Sequence, residues 1–320
     1  MTHLFKERFE NSFSDFLSLI STGDGEWTVK GFIDLYKNIY TISLDTKVVS
    51  KIVELMIFPK IVEFAQDNNY TVVLSEYQNH YPDVTFIDND TGEKIALDIK
   101  STYRINGKRV NGMTLGAFTG YFRNRTSTKN IRFPYNDYEK HYVLGIIYSR
   151  TDMVNAQDVF SSIGITLNNT QRDKLSKYLS NQNVETFEEL TETLKITDDN
   201  LIAEIDTRLS GCLIDERRKY RLDDLQDILS VVRDFEFFLQ EKWKIASDKP
   251  GSGNTKNIGS TKVISELIHG KGMFTKYQNG EDIFNDYWQY YLTEDMRRAA
   301  ELERPPYSNI KEYFIYKGIQ

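Results

Sequence analysis

Two β-rich runs joined by a tight polar reversal constrain this chain more than any other feature. "DVTFI" at 83–87 and "KIALDIK" at 94–100 flank "DNDTGE", whose Asn, Asp and Gly favour a short turn, so a β-hairpin is expected here. Residues two apart on a strand share a face, which projects Asp98 and Lys100 together and sends Ile99 into the other layer. A loop symmetric about Asp90 and Thr91 sets Asp83 directly opposite Asp98, whereas an odd-length loop slips that pairing by one residue. Two facing carboxylates repel unless a cation lies between them, and a hard divalent ion such as Mg²⁺ suits the gap. Lys100 would then hold an attacking hydroxide or balance charge building on phosphate oxygens. The triplet alone is weak, because a second Asp-x-Lys stands at Asp45–Lys47; what strengthens it is the strand–turn–strand context and the basic stretch that follows.

Net charge of −7 argues at first against a nucleic-acid partner, which needs clustered Lys and Arg. The way that charge is distributed weakens the objection. Residues 151–240 carry 18 Asp/Glu against 10 Lys/Arg, which leaves the rest of the chain close to neutral. From Lys100 to Arg132 there are eight basic residues (Lys100, Arg104, Lys108, Arg109, Arg123, Arg125, Lys129, Arg132) and no acidic one. A solvated face is the plain alternative for such a run. With 320 residues, 40% of them hydrophobic, the chain is long and apolar enough for one large domain or two modest ones. Cys212 is the only cysteine, which excludes an internal disulfide and a thiolate zinc site. The N-terminus lacks a signal-peptide pattern and no apolar run is long enough to cross a bilayer, so a cytoplasmic protein without membrane contact is expected.

The stretch 43–66, "SLDTKVVSKIVELMIFPKIVEFAQ", opens on cap-type residues and continues at helical spacing, predicting a long helix broken or kinked at Pro59. Glu54 is its sole acidic residue between Thr46 and Val62, and a solvated helix charge is the plain explanation. "YTVVL" (70–74) and "HYVLGIIYS" (141–149) are predicted strands, the second covered on both faces. Residues 151–235 differ in style, with no proline and with Leu and Ile three and four apart among acidic residues; "TFEEL" carries a capping box from Thr186 to Glu189. An acidic helical insertion at 151–235 is therefore expected, with 1–150 and 236–320 together forming the main domain. The richest loop is "SDKPGSGNTKNIGS" at 247–260.

Pro-Asp, a hairpin and Asp-x-Lys make up the pattern of the PD-(D/E)XK nucleases. "QNHYPD", "IALDIKSTY", "TKNI", "DYWQYY" and above all "GSGNTKNIGS" occur in the same order as in the EcoRV-like type II restriction endonucleases, which the chain resembles from about Leu44 to Arg150 and from about Phe237 onward. The resemblance implies an α/β (α+β) restriction-endonuclease-like core, a mixed central sheet flanked by helices, with the helical insertion added. It implies Asp83, Asp98, Lys100 and Glu54 as catalytic residues, with the three carboxylates as ligands of Mg²⁺. It matches Gly251, Ser252, Gly253, Asn254, Thr255, Lys256 and Asn257 to a loop that reads bases in the major groove. Glycines allow close backbone approach, Asn offers adenine two hydrogen bonds, and Thr offers thymine a methyl. It matches Gln78, Asn79 and His80 to a loop approaching the minor groove, and Thr46, Ser101, Thr102 and Lys129 to backbone-contacting positions. The implied activity is Mg²⁺-dependent double-strand cleavage of double-stranded DNA by a homodimer, at GATATC with a blunt central cut and 5′-phosphate products, beside a cognate DNA methyltransferase. Three departures bear on the recognised sequence: Lys256 replaces a small polar residue, "TGYFRNRTSTKNI" is two residues longer, and "YKGIQ" is less basic.

Other classes fit less well. A P-loop needs Gly-Lys-Ser/Thr and a dinucleotide fingerprint a third glycine where Lys256 stands. A structure-selective repair nuclease would share the catalytic core without base readout, and a non-enzymatic DNA-binding module would not need the full catalytic set.

Overall fold

The computed structural model describes residues 2–77, 80–180, 186–212, 219–251 and 254–319. Its centre is a mixed sheet in which β3 (Tyr70–Leu74), β4 (Val84–Asp88), β5 (Lys94–Asn106), β8 (Tyr138–Arg150) and β10 (Val232–Glu241) lie side by side, with β6 (Arg109–Val110) paired to the far end of β5. All neighbours are antiparallel except β5 and β8, which run parallel. Val84 faces Leu97 and Phe86 faces Ile95, which is the register a turn centred on Asp90 and Thr91 requires.

One face of the sheet is covered by α1 (Thr2–Asn11), α2 (Phe13–Ile20) and α3 (Thr46–Asp67). Asp45 caps α3 by accepting from the Lys47 amide at 2.7 Å, and Val49, Val53, Ile57, Ile61 and Phe64 form the buried stripe that meets Ile95, Leu97 and Leu144. Of the two expected outcomes at Pro59 the break does not occur, since α3 runs on past it to Asp67. The Leu55 carbonyl that loses its amide partner belongs to a residue that is 62% exposed, where water can replace the bond. Phe5, Phe9, Phe64 and Phe86 meet largely edge to face, a geometry worth roughly 0.5–1.5 kcal/mol per pair beyond burial.

The other face carries a second sheet, β7 (Thr114–Ala117), β12 (Asn254–Ser260) and β11 (Ala246–Gly251) in that order, together with α8 (Lys242–Ile245), α9 (Ile264–His269), α10 (Gly280–Tyr290), α11 (Glu294–Ala299) and α12 (Ile310–Lys317). Ala96, Val143, Ile147 and Phe238 point into this layer against Phe118, Ile258, Tyr287 and Trp288. Gly145 lets the Phe238 ring lie on the β8 backbone, since a Cβ there would come within 1.9 Å of the ring.

Between β8 and β10 the chain forms α4 (Thr151–Ser162), α5 (Asn169–Ser180), α6 (Phe187–Leu194) and α7 (Asp199–Ser210), which bury their own cluster of Phe160, Leu175, Leu190, Ile205 and Leu209. The capping box at Thr186 and Glu189 is present. Among the described residues the last α-helix of this stretch ends at Ser210. Then β9 (Lys219–Arg221) completes a small sheet with β1 (Gly31–Ile33) and β2 (Asn38–Thr41), a 3-10 helix spans Leu222–Asp227, and Val232–Phe235 already belong to the central sheet.

Candidate active site

Asp98 and Lys100 project from β5 on the face of Ala96, toward the second sheet, while Asp83 sits at the residue before β4. The Ile99 amide donates to Asp83 Oδ2 at 2.6 Å, which fastens the second carboxylate to the strand carrying the first. Lys100 Nζ lies 2.8 Å from Asp98 Oδ1 and 3.7 Å from Asp83 Oδ2, and donates to the Ile99 carbonyl at 3.1 Å. Among the described residues, Asp98 Oδ2 is buried without a hydrogen-bond partner. A buried carboxylate oxygen with no donor is costly unless a cation or water meets it.

The electrostatics follow from this crowding. Burial pushes Asp83 up to about 6; Lys100 opposes the shift, whereas Asp98 and Glu54 reinforce it. Burial works against the charge of Lys100, but Asp98 and Asp83 outweigh it and hold the ammonium above the ordinary lysine range. Behind the pair lies Lys242, 1% exposed, whose Nζ sits 4.0 Å from the centre of the Tyr81 ring. Burial lowers it to about 7, with Asp98 opposing and Lys100 adding to the drop. Tyr81 Oη and His141 Nδ1 share a hydrogen bond at 2.9 Å, and burial holds that imidazole well below its ordinary value, hence neutral.

Asp83, Asp98 and Lys100 open into a cleft of about 710 Å³ that His80, Lys129 and Asn257 also line. Six of the expected residues therefore share one cavity. Glu54 does not join them: it lies on α3 with its carboxylate 2.8 Å from Lys51, and among the described residues no group of three His, Cys, Asp or Glu is placed to hold a metal. Glu54, the expected third carboxylate, pairs with Lys51 and still acts on the hairpin, since its charge raises both Asp83 and Lys100. Asp83 and the orphaned Asp98 oxygen fit a Mg²⁺ ion that keeps several waters.

The residues expected to read bases lie on β11 and β12 where they are described. Gly251 is buried and faces Asn254 across β11 and β12, and Asn257 faces Ala117 of β7. Lys256 is exposed, and its carbonyl accepts from the Phe118 amide at 3.2 Å. Ser252, Gly253, Gln78 and Asn79 lie outside the described residues, as do the side chains of Asn254 and Thr255. Thr46 is exposed at the start of α3. The Ser101 hydroxyl bonds that of Ser50 on α3. Thr102, expected at a DNA-backbone position, is 3% exposed and its hydroxyl donates to the Gly112 carbonyl at 3.2 Å. The basic stretch divides as well. Arg104 binds Glu236, Arg132 binds Glu76, Arg123 donates to the Tyr291 carbonyl and Arg125 to Asn285, whereas Lys100 and Lys129 face the cleft. Sequence reasoning passed over Tyr81, Tyr121 and Lys242; only the apolar run before Lys242, "FEFFL", hinted at its burial.

A hairpin presenting Asp83, Asp98 and Lys100 from a mixed sheet into an open cleft is the arrangement of a PD-(D/E)XK nuclease. The family model for the restriction endonuclease EcoRV matches residues 23–181 and 205–318. The chain is also 31% identical over 309 residues to the type II restriction enzyme EcoRV of Escherichia coli, covering 95% of this chain and 98% of that one. It belongs to the EcoRV restriction endonuclease family, and is a site-specific deoxyribonuclease of type II.

Proposed function

We propose that the protein hydrolyses one phosphodiester in each strand of double-stranded DNA in a Mg²⁺-dependent reaction, at GATATC with a blunt central cut. The observation that carries this reading is the buried, unpartnered oxygen of Asp98 beside Asp83, with a lysine ammonium 2.8 Å from the other Asp98 oxygen. Bound between the carboxylates, Mg²⁺ supplies polarisation of the scissile phosphate and neutralises part of its charge. Asp83 and Asp98 hold the ion, the Ile99 amide keeps Asp83 from rotating away, and Lys100 offers a fixed positive charge to the phosphate oxygens. Lys129 and His80 line the cleft where the DNA backbone would run, and the 251–257 loop reads the bases.

Cleavage of both strands of a palindrome asks for two sites related by two-fold symmetry, hence a homodimer. Support comes from the small β1–β2–β9 sheet, where Phe32, Ile33, Tyr36 and Tyr40 are exposed and Leu35 is 90% exposed, an apolar surface that a second copy would cover. Helices α4–α7, with their own core, form an appended unit whose acidity keeps it away from DNA. A cognate DNA methyltransferase protects host sites. Plasmid digestion with and without Mg²⁺, followed by sequencing of the cut ends, tests the assignment. Discrete fragments with blunt ends inside GATATC are expected; a smear would instead indicate the structure-selective nuclease, and uncut DNA would overturn the proposed cleavage.

A further inference from the structure

Lys242 is the most buried lysine among the described residues, and its Nζ has no hydrogen-bond partner there. Arg150, also buried, shows the ordinary arrangement, with Asp152 accepting from its guanidinium twice. A buried charge left unpaired destabilises a fold, and replacement by an apolar side chain of similar volume is often neutral or stabilising. Such a residue persists where something other than stability holds it.

Its surroundings point toward the catalytic hairpin. Nζ lies over Tyr81 at 4.0 Å from the ring centre and 5.7 Å from that of Tyr135. Tyr81 is fixed from several sides. Its amide donates to the Asn130 carbonyl at 3.1 Å, its carbonyl accepts from the Arg132 amide at 2.9 Å, and its ring stacks on Tyr121. Two residues later comes Asp83. Gly116, at φ +85°, leaves the space beside Nζ open: a Cβ there would lie 3.6 Å from Nζ and 3.1 Å from the Tyr121 hydroxyl. The charged groups that Lys242 feels most are Asp98 and Lys100. Lys100 occupies one Asp98 oxygen, and Lys242 lies behind it as a second basic group acting on that carboxylate.

We propose that Lys242 is a positioning residue of the nuclease centre: its ammonium, seated on Tyr81 behind Asp98, holds the Tyr81–Pro82–Asp83 turn and balances the two carboxylates until the divalent ion arrives. The proposal rests on the nuclease assignment above and adds a residue that does not touch the substrate. It carries a signature unlike that of a structural lysine. Lys242→Met keeps the length and removes the charge, so the fold should be as stable as wild type or more so. Loss of a like charge should tighten binding of a divalent cation, while loss of the anchored turn should slow the chemical step.

The test compares wild type with K242M at pH 7 in three measurements: thermal melting, Mn²⁺ binding by the DNA-free protein followed by electron paramagnetic resonance, and single-turnover cleavage at saturating metal. The expected result is an unchanged or raised melting temperature, Mn²⁺ binding at least twofold tighter, and cleavage slowed tenfold or more. Cleavage within twofold of wild type overturns the proposal, and so does a variant that melts earlier and binds Mn²⁺ no more tightly, since that is a lysine serving the fold alone. If wild type itself does not cut, the nuclease assignment fails, and Mn²⁺ binding still decides for Lys242: tighter binding supports the proposal and unchanged or weaker binding ends it.

Discussion

Asp83 should make the metal-free protein less stable at neutral pH than a variant without that charge. Its carboxyl is pushed from the ordinary 3.8 up to about 6, mainly by burial and despite Lys100. A carboxyl whose value is higher in the folded state than in the unfolded one is protonated first in the folded state as pH falls. Its ionisation therefore costs nothing below about pH 4, and the whole penalty is present above about pH 6. A shift of that size corresponds to about 3 kcal/mol. With 32% of the side chain still exposed, solvent screening reduces it, leaving roughly 1–2 kcal/mol. Asp83→Asn retains an oxygen to accept from the Ile99 amide and removes the charge. Melted at pH 7 without metal, D83N should exceed wild type by roughly 2–5 °C, and the gap should close toward pH 4. Addition of Mg²⁺ or Ca²⁺ should then raise wild type, by about 2.7 kcal/mol at a hundred times the dissociation constant, and leave D83N nearly unmoved. Calorimetric melts over pH 4–8 with and without the ion measure all of this. A D83N protein less stable than wild type at pH 7, or equally stabilised by the ion, would refute the reasoning.

Three further outcomes are expected. Asp98→Ala should abolish cutting in a plasmid assay while leaving DNA retention in a gel-shift experiment, since it removes the orphaned oxygen and not the basic lining of the cleft; residual cutting would misplace the metal site. Asn254→Ala should cost about 1–3 kcal/mol of discrimination between cognate and altered sites, read from competition binding, with little change in nonspecific affinity. Leu35→Asp should shift the protein toward monomer in sedimentation velocity and reduce double-strand cleavage more than nicking; an unchanged sedimentation coefficient would remove the β1–β2–β9 surface from the interface.

The hairpin was legible because its information is local. Alternation across 83–87 and 94–100 and a symmetric polar turn are enough to define the register, and that register is what brings Asp83 to Asp98. Glu54 stood out only through the family resemblance, since whether a helix carboxylate turns to a metal or to Lys51 depends on a neighbour and a rotamer that periodicity does not encode. The burial of Thr102 and Lys242 was not legible for a shared reason: each stands among polar residues, Lys242 in "QEKWK", and only the packing of the second sheet on the first buries them. At Pro59 the local breaker does not end the helix, because the apolar stripe clamps α3 on both sides of it. The basic run was half informative, because the same Arg and Lys types serve both internal carbonyls and the cleft.

At the outer end of the central sheet, Arg150 of β8 faces Val232 of β10, and the Thr151 amide donates to the Val231 carbonyl at 3.1 Å. The excursion from 151 to 231 thus leaves and rejoins the sheet at a single closed doorway. To the sheet it counts as a hairpin loop, whatever its length, because closing a longer loop adds only about 0.6 kcal/mol per doubling. This junction lies at the opposite end of β8 from the strand start near Tyr138 and leaves the Asp83–Asp98 register untouched. A change of length within the excursion therefore need not shift the strand register on which the cutting machinery stands.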